Sequence, residues 1–353
     1  MAATLKCDTI QNAASTNPNI TLDGSANATV GGTLAMGSSF KRNKLINGDM
    51  GVYQRGSVAA TTAGAYTLDR WFVTPTGATV TVTQSTTVIP TGFADSLNVA
   101  SAASVTNVAV YQRIESVNTA DLASGVQVTV SGRIYQSTGS AVTTATVALA
   151  APTAADNYTS TTSAATTYTL PSIANATWTT FSNTFTLTTS CVNGLQVTIA
   201  LGTGLTTGSF NLTGVQLEVG SVATPYERQI YSDQLAQCQR YLPAFPYASG
   251  ANPYIAAGMV TSLSSSTTAW FTVALPVTTR VPPTGVTVSA ASHFAAFLPS
   301  TATTNATGFT FGGATTTSAN FNISGLSGTT AGYSTLLYMN TSSAYMYFTG
   351  CEL

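Results

Sequence analysis

Polar and apolar residues alternate along most of this chain. Val80 and Val82 alternate with Thr79, Thr81 and Thr83, and Val126, Val128 and Val130 with Gln127 and Thr129. Leu195, Val197, Ile199 and Leu201 alternate with small or polar residues, and Phe210 and Leu212 flank Asn211 in the same way. In the last third Phe271, Val273 and Leu275 share one phase, as do Val286 and Val288, Phe309 and Phe311, and Phe321 and Ile323. A period of two, rich in β-branched and aromatic residues and bounded by Gly, Pro, Asn and Ser, predicts half-buried strands. Many short strands of this kind predict antiparallel sandwiches. A helical period occurs in one place, over 232–242, where Leu235, Cys238 and Leu242 recur at three and four. Ser232 is the expected N-cap and Pro243 the stop.

Charge divides the chain into blocks. Residues 41–70 carry Lys41, Arg42, Lys44, Asp49, Arg55, Asp69 and Arg70, and residues 218–240 carry Glu218, Glu227, Arg228, Asp233 and Arg240. Between Ile134 and Leu217 the only charge is Asp156, and after Arg240 only Arg280 and Glu352 remain. The expected fold class is therefore all-β. It has a β-rich N-terminal attachment or oligomerisation segment (1–40), a central β-sandwich (41–228), a short linking helix (229–242) and a C-terminal β-sandwich (243–353). The first forty residues hold few large apolar side chains, with Ile20 and Leu22 alternating and Val30, Leu34 and Met36 following among glycines. A strand pair of this kind is marginal alone and gains a core by packing on copies of itself or on another protein.

Composition narrows the chemistry. The chain has 353 residues, 44% hydrophobic and only 7% charged, with a net charge of −1. Ordinary globular proteins carry about 25% charged residues, so polarity here rests on Ser, Thr, Asn and Gln. Such a chain offers no field to gather phosphates, and no nucleic-acid partner is expected. The N-terminus lacks the apolar stretch of a secretory signal, and no run approaches the ~18 apolar residues of a membrane helix. Synthesis in the cytoplasm without membrane insertion follows as an expectation. Cys7, Cys191, Cys238 and Cys351 are far apart, which predicts free thiols.

Enzymatic constellations are poorly represented. His293 is the sole histidine and has no acidic neighbour in sequence, whereas a Ser-His-Asp arrangement needs an orienting carboxylate. It reads as a polar strand or loop residue. A depolymerase would need two carboxylates about 5–10 Å apart in a groove. Glu115 and Asp121 are the least explained pair, and their stretch also reads as a turn-rich linker. Gly-rich phosphate loops and metal-ligand spacings are absent. The chain is expected not to be an enzyme.

Two stretches carry a family resemblance. One runs from Gly32 to Trp71 and includes Leu45-Ile-Asn-Gly-Asp-Met50 and Tyr66-Thr-Leu-Asp-Arg-Trp71; the other runs from Thr213 to Arg228 and closes with Leu235–Tyr241. Together with Ala3–Gln11, Leu275–Arg280 and Cys351–Leu353 they resemble the tail-fibre-like virion proteins of bacteriophages and prophages, including phages of cyanobacteria. That resemblance implies a virion protein assembled in the host cytoplasm, a homo-oligomer (a trimer, as for fibres), and attachment to other virion proteins through the N-terminal segment. Asn47-Gly-Asp49 and Val215-Gln-Leu-Glu218 are in turn similar to the first and last strands of carbohydrate-binding jelly-roll modules, which lie together in one sandwich. Some of those modules hold a structural calcium there, and the resemblance puts Asp49 and Glu218 forward as ligands; a salt bridge to Arg or Lys is the simpler role for each.

Binding is the chemistry that remains. Sugars are held by flat aromatic faces together with hydroxyl and amide groups. Trp270 lies on the opposite phase from Phe271, Val273 and Leu275, so if that trio faces the core, Trp270 and Thr272 face outward or toward another subunit; a Trp buried between subunits or under a loop is the alternative. Tyr333, Tyr338, Tyr345 and Tyr347 crowd the last strands, and 345–348 reads as apolar on both faces, hence covered on both by a subunit interface or serving as a glycan platform. Trp270, Tyr333 and Tyr345 are the candidate contacts with host-surface carbohydrate. Trp71 and Trp178 are assigned to packing. The rival functions are a capsid-bound fibre or decoration protein with a purely structural role, and a polysaccharide depolymerase tailspike.

Overall fold

The computed structural model describes residues 41–202, 206–246, 254–260, 267–297, 303–327 and 331–353, preceded by three short strands at 9–10, 20–22 and 28–30. Those strands pair antiparallel in a sheet of their own. Cys7, Leu34 and Met36 lie outside the described residues. The chain divides into two units at Arg42, and Asn43–Leu353 forms one compact unit with two hydrophobic cores.

The first core lies between a six-stranded and a seven-stranded sheet. Thr179–Thr186, Gln127–Gln136, Ser209–Val219, Ser96–Ala100, Val80–Ser85 and Val58–Ala60 are neighbours in that order in the six-stranded sheet. The seven-stranded sheet centres on Thr146–Ala154, Leu195–Ala200, Asn107–Ile114 and Phe72–Thr76. Alternation decides which side chains enter. Val80, Val82, Val128, Val130, Val197 and Ile199 are buried together, while the intervening Thr and Gln residues turn away or meet a partner on the far face. Each such apolar side chain stabilises the fold by about 1.5–3 kcal/mol relative to an exposed one.

The second core lies between another seven-stranded sheet and a three-stranded one. The former orders Thr303–Asn305, Phe294–Phe297, Ser334–Met339, Tyr254–Val260, Thr268–Ala274, Ser318–Ser324 and Gly308–Ala314; the latter orders Ala244–Pro246, Tyr345–Thr349 and Gly285–Val288. Phe271, Phe321 and Phe348 meet between them. All strand pairings in both sandwiches are antiparallel.

Between the two cores runs the helix Tyr231–Gln239. It begins two residues earlier than the Ser232 cap requires: the amides of Asp233 and Gln234 donate to the Ile230 carbonyl, and Ser232 sits inside the first turn, exposed. Gln234 and Cys238 form the buried stripe, with Leu235 only half-buried. The Gln234 amide displaces the expected apolar register because it donates to Asp49 Oδ1 at 2.5 Å.

The charge clusters fold onto one seam around this helix. Arg70 is buried with its guanidinium 3.5 Å above the Tyr241 ring, and it donates to the Arg113 carbonyl. Asp69, also buried, accepts from the amide and side chain of Gln54 at 2.7 and 2.6 Å. Glu115, expected in a linker, is a buried acceptor for Arg240 at 3.2 and 3.1 Å, with Arg280 Nε at 3.9 Å. Arg55 pairs with Glu352 at 2.5 Å, and Tyr66 and Arg113 donate to the Leu353 carbonyl.

Candidate functional site

The outer face of the C-terminal seven-stranded sheet presents Trp270. Within Thr268–Ala274 the side chains of Ala269, Phe271 and Val273 are buried, and Trp270, Thr272 and Ala274 are exposed. The phase follows from the core: Phe271 stacks on Phe321 at 5.9 Å, which fixes its neighbours outward. Trp270 is 38% exposed. Its indole does not stand up from the sheet. It lies across the adjacent strand Ser318–Ser324 and ends over Gly312 on the next, where a methyl group would meet the ring at 2.5 Å. Gly312 is the extra residue of a bulge between Phe311 and Gly313. Bulges bend a strand and re-aim what lies on it, and a residue without a side chain leaves a bed for the ring.

Register supplies the ring's surroundings. Trp270 faces Asn322 on one neighbouring strand and Met259 on the other, and Asn322 pairs in turn with Thr310. Two residue pairs along, on the same face, Asn320 Nδ2 donates to Thr272 Oγ1 at 3.2 Å. The ring is thus bordered on one side by amides and hydroxyls. On the other side lie exposed apolar groups, Met259, Leu336, Phe297 and Tyr254, with Tyr254 edge-on to Phe297 at 6.2 Å. No charged residue occurs in the strands of this sheet. Such a face can stack on the apolar side of a ring and hydrogen-bond its neutral edges; it cannot hold an ion.

One of the other two candidate contacts separates from it. Tyr333 is 56% exposed and precedes Ser334, whose register partner on the neighbouring strand is Met259. It therefore stands just outside the end of a strand of the same sheet. Tyr345 is not on this sheet. It belongs to the three-stranded one, half-buried and stacked on Tyr347 at 5.8 Å, and Tyr347 in turn lies under the Arg55 guanidinium. The second face of 345–348 is thus covered in part by this chain's own central sandwich, which the sequence assigned to another subunit or a glycan. Trp178 is half-buried and tilted against Tyr135 at 5.6 Å, whereas Trp71 is fully buried and donates to the Asn47 carbonyl. Asn320, Asn322 and Gly312 were not singled out in the sequence. Their signal was present, because Asn320 and Asn322 alternate with Phe321 and Ile323, and a Gly-Gly pair interrupts the run that ends at Phe311.

Asn47-Gly-Asp49 and Val215–Glu218 do lie side by side. The Val215 amide donates to the Gly48 carbonyl at 2.9 Å, the Lys44 amide to the Leu217 carbonyl at 2.8 Å, and the Asn43 side chain closes the pair from both sides. Residues 43–50 are nevertheless a turn-rich segment, not a strand. Glu218 accepts from Gln216 at 2.9 Å and from the Thr224 amide and hydroxyl, each at 2.8 Å, so both oxygens are occupied by donors of this chain. Asp49 accepts from Gln234 and the Gly51 amide. Neither carboxylate has a salt-bridge partner among the described residues, and hydrogen-bond donors take that role. Calcium takes six to eight oxygens, and no group of three or more His, Cys, Asp or Glu converges among the described residues. These residues do not fit a calcium ion.

The remaining chemistry is accounted for by structure. His293 sits in the short turn Ala291–His293 with Nδ1 2.9 Å from Ser289 Oγ. Asp121 pairs with Lys44 at 2.8 Å, and Glu115 with the arginines of the seam. Cys191, Cys238 and Cys351 are free and buried, and burial raises each thiol above its ordinary pKa.

Neither a comparison with models of protein families nor one with curated proteins returned a match. Among solved structures, the chain is similar to the enzymatically active domain of tailspike protein 4 of bacteriophage CBA120 (14% identity, TM-score 0.35, 51% of this chain and 22% of that one). It is also similar to a CBM22-1 xylan-binding domain of Paenibacillus barcinonensis Xyn10C (12% identity, TM-score 0.30, 51% of this chain and 96% of that one). A third is TmCBM61, solved with β-1,4-galactotriose (14% identity, TM-score 0.30, 51% of this chain and 99% of that one).

Proposed function

We propose that this chain is a fibre-type virion protein whose C-terminal sandwich recognises a neutral saccharide on the host surface. The observation that carries the reading is the Trp270 indole laid along an uncharged sheet, over Gly312, with Asn320, Asn322, Thr272 and Thr310 at its border. An exposed large aromatic needs a reason more than an exposed aliphatic does, and flat rings bordered by neutral donors and acceptors suit the alternating faces of a sugar. The fibre setting rests on the resemblance of 32–71 and 213–241 to tail-fibre-like proteins. In that setting residues 1–40 attach the chain to other virion proteins, three copies associate, and repeated weak contacts gain avidity from effective concentration.

Replacing Trp270 by Ala tests it. Adsorption of the particle to host cells should fall while the chain's melting temperature stays nearly unchanged, and raising the salt should alter wild-type adsorption little. Undiminished adsorption by particles lacking residues 243–353 would remove the recognition reading and leave a purely structural fibre or decoration protein.

A further inference from the structure

The central sandwich has a cleft of its own, far from Trp270 in sequence and of opposite chemistry. It has a volume of about 420 Å³ and lies against the outer face of the six-stranded sheet. Two cross-strand pairs make its floor: Ser131 faces Ser182, and Arg133 faces Thr180. The concavity has a local cause. A bulge opposite Ser131 and Arg133, where Gly214 and Val215 face the single Gly132, bends the strand Ser209–Val219, and there Gly214, at φ +63°, leaves room for the Phe93 ring, which a methyl group would meet at 2.6 Å. Phe93 then forms a wall, with Tyr226 tilted against it at 5.4 Å.

Arginines flank that wall. The Arg133 guanidinium lies 5.2 Å and that of Arg228 4.8 Å from the Phe93 ring centre. Each is anchored by one carbonyl of the preceding turn, Arg133 by Thr91 at 3.2 Å and Arg228 by Gly92. Neither has a carboxylate partner among the described residues. A guanidinium carries five donors in a planar fork, so each keeps donors free after its anchor. The cleft has no acidic residue in its lining; adjacent Glu227 is held by the Asn43 amide at 2.9 Å. In a chain with eleven Lys and Arg in all, elsewhere engaged largely at the seam, two arginines sharing one hydroxylated cleft call for an explanation.

We infer that this cleft binds a saccharide bearing an anionic group, with the Arg133 and Arg228 forks on the anion and the Ser131, Thr180 and Ser182 hydroxyls along the sugar. Planar forks match carboxylate and sulfate oxygens in pairs, and an aromatic wall between two cations offers the apolar face of the ring a surface. The site is independent of the Trp270 reading and differs from it in salt dependence, because an ionic contact at a half-open surface weakens as salt rises.

The test titrates the full chain with trigalacturonic acid, a sulfated galactotriose and plain galactotriose as the neutral control. At least one acidic probe should bind more tightly than galactotriose and weaken severalfold between low and high salt. Arg133→Gln with Arg228→Gln should reduce that binding about tenfold or more, as expected when charge-assisted hydrogen bonds are lost, with an unchanged melting temperature. Trp270→Ala should leave it intact. Which acidic probe binds identifies the anion. Failure of both, binding equal to that of galactotriose, or binding undisturbed by the double substitution overturns the inference. If the double variant unfolds, Ser182→Trp, which fills the cleft from an exposed strand position, takes its place, and unaltered binding by that variant has the same meaning.

Discussion

The seam between the two sandwiches and the outer face of the C-terminal sheet are opposites. The seam gathers Arg55, Arg70, Arg113, Glu115, Arg240, Arg280 and Glu352 where water is scarce, and leaves some of their polar atoms, among them Arg70 Nε and Glu352 Oε1, without partners. The outer face has no charge and is open to solvent. A buried ionic network adds little net stability over a well-packed apolar one, so its presence has to be understood differently. Each pair is satisfied in one docking geometry alone, Glu115 with an arginine from the helix end and another from the second sandwich. The seam thereby fixes how one sandwich sits on the other, and the neutral face is held out at a defined angle. Charge in this molecule orients; contact with ligands on the Trp270 face is left to shape.

If that division holds, the largest effects come from the seam. Glu115→Ala leaves the Arg240 and Arg280 guanidiniums without their shared carboxylate. Breaking one side of a buried pair costs about 3–5 kcal/mol, and the partial exposure of Arg240 lets water recover some of it. We expect a loss of about 2–3 kcal/mol in urea unfolding of the full chain. A change under 0.5 kcal/mol would make the seam ornamental.

Glu352 gives the seam a pH dependence. Burial raises its carboxyl from 4.5 to about 7, outweighing the opposing pull of Arg55 and Arg70. The folded chain therefore binds this proton more tightly than the unfolded chain does. The resulting stability is complete below pH 4.5 and is lost as pH rises through 7, about 3 kcal/mol in total for this group. Asp69 is displaced in the same direction, chiefly by burial. The urea midpoint of the wild type should fall between pH 5 and 8 relative to that of Glu352→Gln, which has no proton to lose. Parallel curves for the two proteins would show that Glu352 titrates normally.

Much of the neutral face was legible in the sequence, and almost none of the seam. A strand's two faces are written in consecutive residues, so the phase of Phe271, Val273 and Leu275 was enough to turn Trp270 outward. The ring's resting place was harder: Gly312 is forty-two positions away and becomes a neighbour only through two strand pairings. Tyr345 was misgrouped because proximity along the chain says nothing about which sheet a strand joins. Glu115 read as a linker residue because its partner Arg240 lies 125 residues on. No local pattern distinguishes a solvated carboxylate from one that a distant arginine will bury. Asp49 and Glu218 show the same limit in reverse, since short motifs placed their segments together but not the amides and hydroxyls that occupy their oxygens.

The smallest expected change in stability is at the residue on which the functional reading rests most. Trp270→Ala removes an indole that rests on Gly312 but is open to solvent on its other side. Substitutions at exposed positions usually lie within about 0.5 kcal/mol, and the ring's partial burial raises the expected loss here to about 1 kcal/mol. Trp71→Ala is the internal control: that indole is fully buried and hydrogen-bonded to the Asn47 carbonyl, and truncating such a core ring costs about 3–5 kcal/mol. Measured side by side in urea, the two tryptophans should differ by at least about 2 kcal/mol. Equal losses would mean that Trp270 is covered in the assembled protein, and the outer face would then be a contact between copies instead of a surface for sugar. Gly312→Ala separates the remaining cases. A methyl group there lifts the indole off its bed, so binding should fall with Trp270 still present if the flat pose is what the ligand meets.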